Sequence, residues 1–274
     1  MRKSLLQSML FFLRWQLYPL FLALPAHLIF ILRGLGESRC NFIERLKLAM
    51  HSSIIHLSVE CGHNPQEILK VMDEIIELNP SIPGEIIECG VFLGGSTAKL
   101  SHAARFSGRN LIVCDSFEGL PEVSQADLGS EKLDFLQGAY YGSLPVVKEN
   151  VRRFGRLEGV DFHPGWYENS LGELGDIQVA CAFWDVDLQA SFRACLLGLW
   201  KQIIPGSKVF IHDVDRDSVV EVFTDRDWWQ ENLGEQPPML VGAHQGLGWG
   251  SPLLGFLIKD QMPERVRLPV KNTV

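Results

Sequence analysis

Apolar and polar positions change period repeatedly along this chain, and the changes mark its elements. Short apolar runs at residues 85–89, 111–114, 160–163, 179–184 and 208–211 have the length and β-branched character of buried strands. Two further runs, at 239–243 and 253–258, predict the last strands. Between them the spacing turns helical. Residues 40–60 set Phe42, Ile43, Leu46, Leu48, Ile54 and Ile55 on an amphipathic pattern, and Ile68, Leu69, Met72, Ile75 and Ile76 form the next. That second helix has its start written out: Asn64 as cap, Pro65 at the first position and Glu67 three residues after the cap. Helical spacing returns from Ser96, over 144–154, from Ser191 through Trp200, and over 219–232. Strands alternating with helices predict an α/β fold with a largely parallel sheet.

Composition narrows the classes. A chain of 274 residues suits one α/β domain with a small appendage. A net charge of −8, with no basic run beyond the N-terminus, argues against a nucleic-acid partner. The six cysteines, Cys40, Cys61, Cys89, Cys114, Cys181 and Cys195, form no C-x-x-C pair and fall mostly in apolar runs. They read as small hydrophobes in a reducing compartment rather than as disulfides or a zinc site. No internal repeat or low-complexity tract interrupts the chain.

The candidate chemistry begins where the first run ends. Glu88-Cys89-Gly90-Val91-Phe92-Leu93-Gly94-Gly95-Ser96 leads from a strand through a glycine turn into a helix, so backbone amides can face a ligand. Asp115 closes the second run twenty residues past Gly95, where an acid reaches ribose hydroxyls in nucleotide-binding folds. The glycines do not fit G-x-G-x-x-G. Glu88 would repel a pyrophosphate and suits a cationic amino acid end, which points to S-adenosylmethionine; plain turn chemistry is the competing reading. Gly90, Gly94, Ser96, Asp115 and Ser116 are the accompanying contacts, with His163 and Trp166, at the end of the third run, as adenine-side candidates. Phe117 either covers the adenine or packs on the sheet. Residues 122–142 have the profile of a loop over a site, with Tyr140 and Tyr141 facing substrate.

Acids also terminate the fourth and fifth runs, as Asp185-Val186-Asp187 and as His212-Asp213 with Asp215 and Asp217 behind. Adjacent parallel strands ending in carboxylates bring hard oxygen ligands to one sheet edge, which suits Mg²⁺. Asp185, Asp213 and Asp215 are the expected ligands, whereas Asp217 reads as a helix-terminal acid. His244, in the glycine-rich link 244–250, reads as an ordinary loop histidine.

Residues 1–36 form an apolar segment distinct from a catalytic domain over 37–274. Residues 5–32 carry one full charge, Arg14, and are broken by Pro19 and Pro25. The uninterrupted part, 17–32, would span roughly 24 Å as a helix, short of a hydrocarbon core of about 30 Å. An interfacial helix or re-entrant hairpin fits this better than a spanning helix. The other reading is an arm buried in a homo-oligomer. A cleaved signal peptide would part the protein from its cytoplasmic cofactor.

Taken in order, Glu88 to Ser96, Asp115-Ser116-Phe117-Glu118-Gly119-Leu120-Pro121, Gly165-Trp166-Tyr167, Asp185-Val186-Asp187-Leu188 with Ser191, and Pro205-Gly206 before Asp213 resemble the macrocin O-methyltransferase family over residues 60–260. These are class I enzymes that methylate sugar hydroxyls of antibiotics. The resemblance implies a Rossmann-like sheet of seven strands with helices on both faces and the last strand antiparallel. It also implies S-adenosylmethionine at the glycine turn, a Mg²⁺ ligand at Asp185, and a base at Asp187 acting on a hydroxylated small-molecule acceptor. The family ends its fifth strand in two adjacent aspartates, where this chain reads Asp213-Val214; Asp215 or His212 is left to supply the second ligand. Two rival readings are an Asp-x-Asp glycosyltransferase and a non-catalytic, membrane-associated cofactor-binding protein.

Overall fold

The apolar runs pair into a single six-stranded sheet of order β3-β2-β1-β4-β5-β6 in the computed structural model of this chain. Residues 13–123, 127, 136–248 and 251–259 are described. The strands are β1 (Glu85–Cys89), β2 (Leu111–Asp115), β3 (Val160–Pro164), β4 (Val179–Trp184), β5 (Ile203–Ile211) and β6 (Gly255–Ile258). All neighbours are parallel except β5 and β6. From β1 the chain winds outward through β2 to β3, then returns to lay β4 on the other side of β1. Strand order therefore reverses between β1 and β4, and a crevice opens at their carboxyl ends.

Helices cover both faces. Helix α3 (Phe42–Ser58), α4 (Pro65–Glu77), α5 (Gly95–Ser107) and α6 (Leu144–Phe154) pack on one face around Ile68, Met72, Ile86, Leu100 and Val113. On the other, α7 (Tyr167–Ser170), α8 (Gln189–Leu199), α9 (Asp217–Val222) and α10 (Arg226–Leu233) enclose Ile87, Trp184, Phe192, Trp200 and Trp229. Ile86 and Ile87 enter opposite cores because successive strand side chains alternate. The start of α4 is as the residues predict: Asn64 and Glu67 close a capping box, with Pro65 first in the helix. The predicted helix over 219–232 is two helices, broken where the Asp225 carboxylate accepts from the Trp228 amide and starts α10.

The expectation of seven strands is corrected among the described residues. The run at 239–243 contributes one antiparallel bridge, Val241 with Phe256. Pro237 and Pro238 deliver no backbone donor just before it, and Gly242 at φ +94° turns the chain out of the extended region immediately after.

Upstream of α3, helices α1 (Tyr18–Leu22) and α2 (Leu24–Leu32) follow a short irregular turn, and residues 1–12 lie outside the described set. No helix among the described residues is long and apolar enough to cross a membrane. Arg45, fully buried in α3, ties α2 to the domain. Its guanidinium donates to the Phe30 carbonyl at 3.1 Å, to Asp73 at 2.6 Å and to Glu77 at 2.5 Å, and lies over the Phe30 ring. Arg33 adds a second pairing to Asp73. A cation buried this deeply is tolerated because two carboxylates and backbone carbonyls replace its water.

Candidate active site

A cleft of about 250 Å³ occupies the crevice at the strand-order reversal. One wall is the turn after β1, with Gly90, Val91, Gly95 and Ser96; Asp115 and Ser116 from β2 and Trp166 and Tyr167 after β3 extend it. The opposite wall carries Asp185 and Asp187 after β4 and His212, Asp213 and Arg216 after β5. The two groups of residues singled out from separate stretches of sequence thus share one cavity.

The turn is shaped by close approach. Gly90 stands at φ +85°, its amide on the Cys114 carbonyl at 3.1 Å. Gly94, at φ +80°, caps α5 and lies against Val147 rather than on the cleft wall. Asp115 binds the turn directly: Oδ2 accepts from the Val91 amide at 2.9 Å and Oδ1 from the Phe117 amide at 2.6 Å. Burial raises its pKa against those two bonds.

Three expectations need correction or refinement. Glu88 is fully buried and does not line the cleft. Strand alternation sends Ile87 and Cys89 to one core and turns Glu88 to the other face, towards the first turn of α5. Neither of its oxygens has a hydrogen-bond partner of good geometry. Burial pushes its carboxyl up to about 8, against the nearby Ser96 and Thr97 hydroxyls, with Asp185 and Asp115 adding to the rise. His163 sits one residue short of the end of β3, paired beside Cys114, and does not line the cleft, whereas Trp166 beyond the strand does. Asp215 is exposed and stays out of the acidic cluster. Phe117, at φ +57°, is buried against Phe162 and packs on the sheet rather than facing the cleft. Tyr140 lines the cleft and Tyr141 does not; residues 124–126 and 128–135 of the expected loop lie outside the described set.

The Glu88 carboxyl makes stability depend on pH. The folded chain keeps this proton to about pH 8 while the unfolded chain releases it near 4.5. The stabilisation is complete below the lower value and disappears as pH rises through the upper one. Unfolding by urea should therefore show stability falling between about pH 5 and pH 8, by on the order of a few kcal/mol from this group. Glu88→Gln should flatten that slope, and an unchanged slope in the variant would remove Glu88 as its source.

The acidic wall carries unusual backbone. Asp187 and Asp213 both occupy the left-handed region, at φ +58° and +62°. Such conformations cost about 1–3 kcal/mol each and persist where the surroundings impose them. Asp185, His212 and Asp213 each offer one ligand atom, all within 4.8 Å of one another. His212 Nδ1 lies 3.0 Å from Asp185 and 3.1 Å from Asp213, and Nε2 lies 3.3 Å from Glu67 of α4. Arg216 reaches Asp213 at 3.0 Å and approaches Asp187 at 3.6 Å.

Charge states follow from this crowding. Burial first, then the Asp213 and Asp185 charges, hold Asp187 well above the usual carboxylate range, with Arg216 and His212 pulling it back. Burial alone would lower His212, but Asp185 and Asp213 outweigh it and carry the imidazole well above its ordinary value. Asp213 is lowered, since His212 and Arg216 overcome its burial.

The strand-end pair facing the cleft is His212-Asp213. Val214 is fully buried, its amide on the Leu253 carbonyl and its methyls under Gly255. Arg216 went unnoticed in the sequence because an arginine at the start of a helix carries no periodic signal. Exposed His244 pairs with Asp217 and lies off the cleft.

The profile of the macrocin-O-methyltransferase (TylF) family matches residues 63–237. The 8-demethyl-8-(2,3-dimethoxy-alpha-L-rhamnosyl)-tetracenomycin-C 4'-O-methyltransferase of Streptomyces olivaceus is 33% identical over 179 residues, covering 63% of this chain and 67% of that protein. The demethyldecarbamoylnovobiocin O-methyltransferase of Streptomyces niveus is 27% identical over 155 residues, covering 54% of this chain and 58% of that protein. The solved O-methyltransferase NovP superposes with a TM-score of 0.57 at 21% identity, over 70% of this chain and 81% of its own, and so shares the fold.

Proposed function

We infer, from the premise that this chain belongs to the macrocin O-methyltransferase family, that it transfers the methyl group of S-adenosylmethionine to a hydroxyl of a sugar or sugar-bearing small molecule. The observation that carries this reading is the sharing of one cleft by the glycine turn with Asp115, by the cluster of Asp185, His212 and Asp213, and by Asp187. S-Adenosylmethionine supplies the methyl group. Asp115 accepts from ribose hydroxyls with the lone pairs that its two backbone bonds leave, the turn backbone at Gly90 and Gly95 borders the amino acid end, and Trp166 flanks the adenine side.

Asp187 is the base. Its carboxylate shares the cleft wall with the cluster, and its raised proton affinity suits it to take the acceptor's hydroxyl proton. Arg216, on Asp187 and Asp213, holds the two left-handed acids in place. Tyr140, edge-on to Phe92, narrows the cleft. Alignment of acceptor oxygen, methyl carbon and sulfur provides much of the remaining acceleration. Asp185, Asp213 and His212 fit a divalent cation, since two carboxylates and a buried imidazole nitrogen converge there. A divalent cation held there would lower the pKa of a bound hydroxyl.

The test is incubation of the purified chain with methyl-labelled S-adenosylmethionine and a panel of glycosides bearing free vicinal hydroxyls, with products read by mass spectrometry. Label in the sugar is the expected result. Calorimetric affinity for uridine diphosphate in place of S-adenosylhomocysteine would instead favour the Asp-x-Asp glycosyltransferase. Cofactor affinity without transfer to any hydroxylated acceptor would favour a non-catalytic binding protein.

The apolar appendage adds a location to this reading. Phe21, Leu28 and Ile29 of α1 and α2 stand 56–70% exposed. On α3, Ile43, Leu46, Met50 and Ile54 form a second exposed apolar stripe at helical spacing. Residues 1–36 carry Arg2, Lys3, Arg14 and Arg33 and no acid, although the whole chain is acidic. Exposed apolar helices with a local basic excess fit the surface of an anionic membrane. The chain should sediment with vesicles containing phosphatidylglycerol and less with neutral ones, and Phe21→Glu with Met50→Glu should abolish it. A variant-sensitive dimer with no vesicle binding would assign the face to a second copy.

A further inference from the structure

The cation cluster contains a nitrogen, and its surroundings explain why it is there. His212 is 3% exposed, and its Nδ1 stands 3.0 Å from Asp185 Oδ1 and 3.1 Å from Asp213 Oδ1. Neither approach has the alignment of a hydrogen bond, so Nδ1 is a buried polar atom without a hydrogen-bond partner. Nδ1 and the two carboxylate oxygens converge within 4.8 Å of one another, the arrangement of three ligands around a shared positive centre.

The ring is also held for that purpose. Its far nitrogen, Nε2, meets Oε2 of Glu67 at 3.3 Å. Glu67 is itself fully buried and immobilised, accepting from the Asn64 amide at 2.9 Å and from the Leu253 amide at 3.2 Å. A carboxylate behind the far nitrogen fixes tautomer and ring orientation and makes the near nitrogen a better donor, as it does for metal-bound histidines generally. Position 214 cannot contribute, because Val214 is packed under β6. Arg216 on Asp213 offsets part of the cluster's negative charge.

Mg²⁺ demands near-octahedral oxygen coordination and gives up water reluctantly. Imidazole nitrogen suits first-row transition ions instead. We propose that Asp185, His212 and Asp213 form a mixed nitrogen–oxygen site that selects a first-row transition divalent cation, such as Mn²⁺ or Co²⁺, over Mg²⁺. This rests on the cation-assisted reading of the cleft given above.

The experiment uses the purified full-length chain, stripped with a chelator and saturated with S-adenosylhomocysteine. MnCl₂ and MgCl₂ are titrated calorimetrically, and the Mn²⁺ form is examined by electron spin echo envelope modulation. Nitrogen modulation from one imidazole is expected in the native chain and should vanish in His212→Asp. That variant should also shift the ratio of Mg²⁺ to Mn²⁺ affinity towards Mg²⁺ by about tenfold or more. Absence of nitrogen modulation in the native Mn²⁺ form overturns the proposal whether or not the variant folds. An affinity ratio unmoved by a folded His212→Asp overturns it as well. Failure to bind S-adenosylhomocysteine at all would sink the methyltransferase reading itself, and a normal cofactor titration with no nitrogen signal sinks only the choice of cation.

Discussion

Asp187→Asn should lower the rate of methyl transfer by about 10²–10⁴-fold, the usual contribution of a positioned general base, while leaving affinity for S-adenosylhomocysteine unchanged. Asparagine keeps the shape of the side chain and tolerates the left-handed backbone, φ +58°, that position 187 requires. The Arg216 guanidinium still finds the backbone carbonyl of residue 187, on which it donates at 3.1 Å. Proton affinity is what the substitution removes. Steady-state transfer from a labelled methyl donor, alongside calorimetry with S-adenosylhomocysteine, separates the two effects. Native turnover in this variant would move the base elsewhere in the cleft. A joint loss of turnover and cofactor affinity would show that Asp187 supports the wall rather than the chemistry.

Gly90→Ala should be the most damaging single substitution in the turn. A Cβ at this position would lie 1.8 Å from the Asp185 carbonyl oxygen and 2.7 Å from its carbon, and φ is +85°. The obstruction is backbone, so no side-chain rotation relieves it. The carboxyl ends of β1 and β4 would have to part, opposing the 2.9 Å bond from the Asp185 amide to the Cys89 carbonyl. Left-handed backbone costs a non-glycine residue about 1–2 kcal/mol, and overpacking typically adds about 1–3 kcal/mol. A loss of about 3–5 kcal/mol in urea unfolding is expected, with S-adenosylhomocysteine binding lost even where the variant folds, because Gly90 and Asp185 both line the cleft. A stability within about 1 kcal/mol of the native chain would mean that the turn is not so tightly closed.

Much of the architecture was legible along the chain because it is written in local terms. The alternation of apolar runs with helical spacing, the capped start at Asn64, and the glycine turn before Ser96 depend on residues within a few positions of one another. That the acids at 185, 187 and 213 would line one cleft was readable because parallel strands place their carboxyl ends on one edge. The strand at 239–243 misled because its apolar run is genuine, yet the two prolines before it and the turn at Gly242 leave a single bridge. Glu88 misled for a different reason. Its position before the turn is local information, but the face it takes is settled by which core admits Ile87 and Cys89.

What the sequence determined by itself is the order of elements, the glycine turn, and the family to which their ordered motifs belong, all consequences of short-range periodicity and backbone preference. What only the tertiary structure decided is which side chains meet. Glu67 comes from a helix 145 residues before His212 and reaches its ring nitrogen, and Arg216 bridges acids carried by two strands. These meetings are selected by burial: a charged group enclosed between sheet and helix must find a partner there, whatever its distance along the chain. No local pattern records that choice.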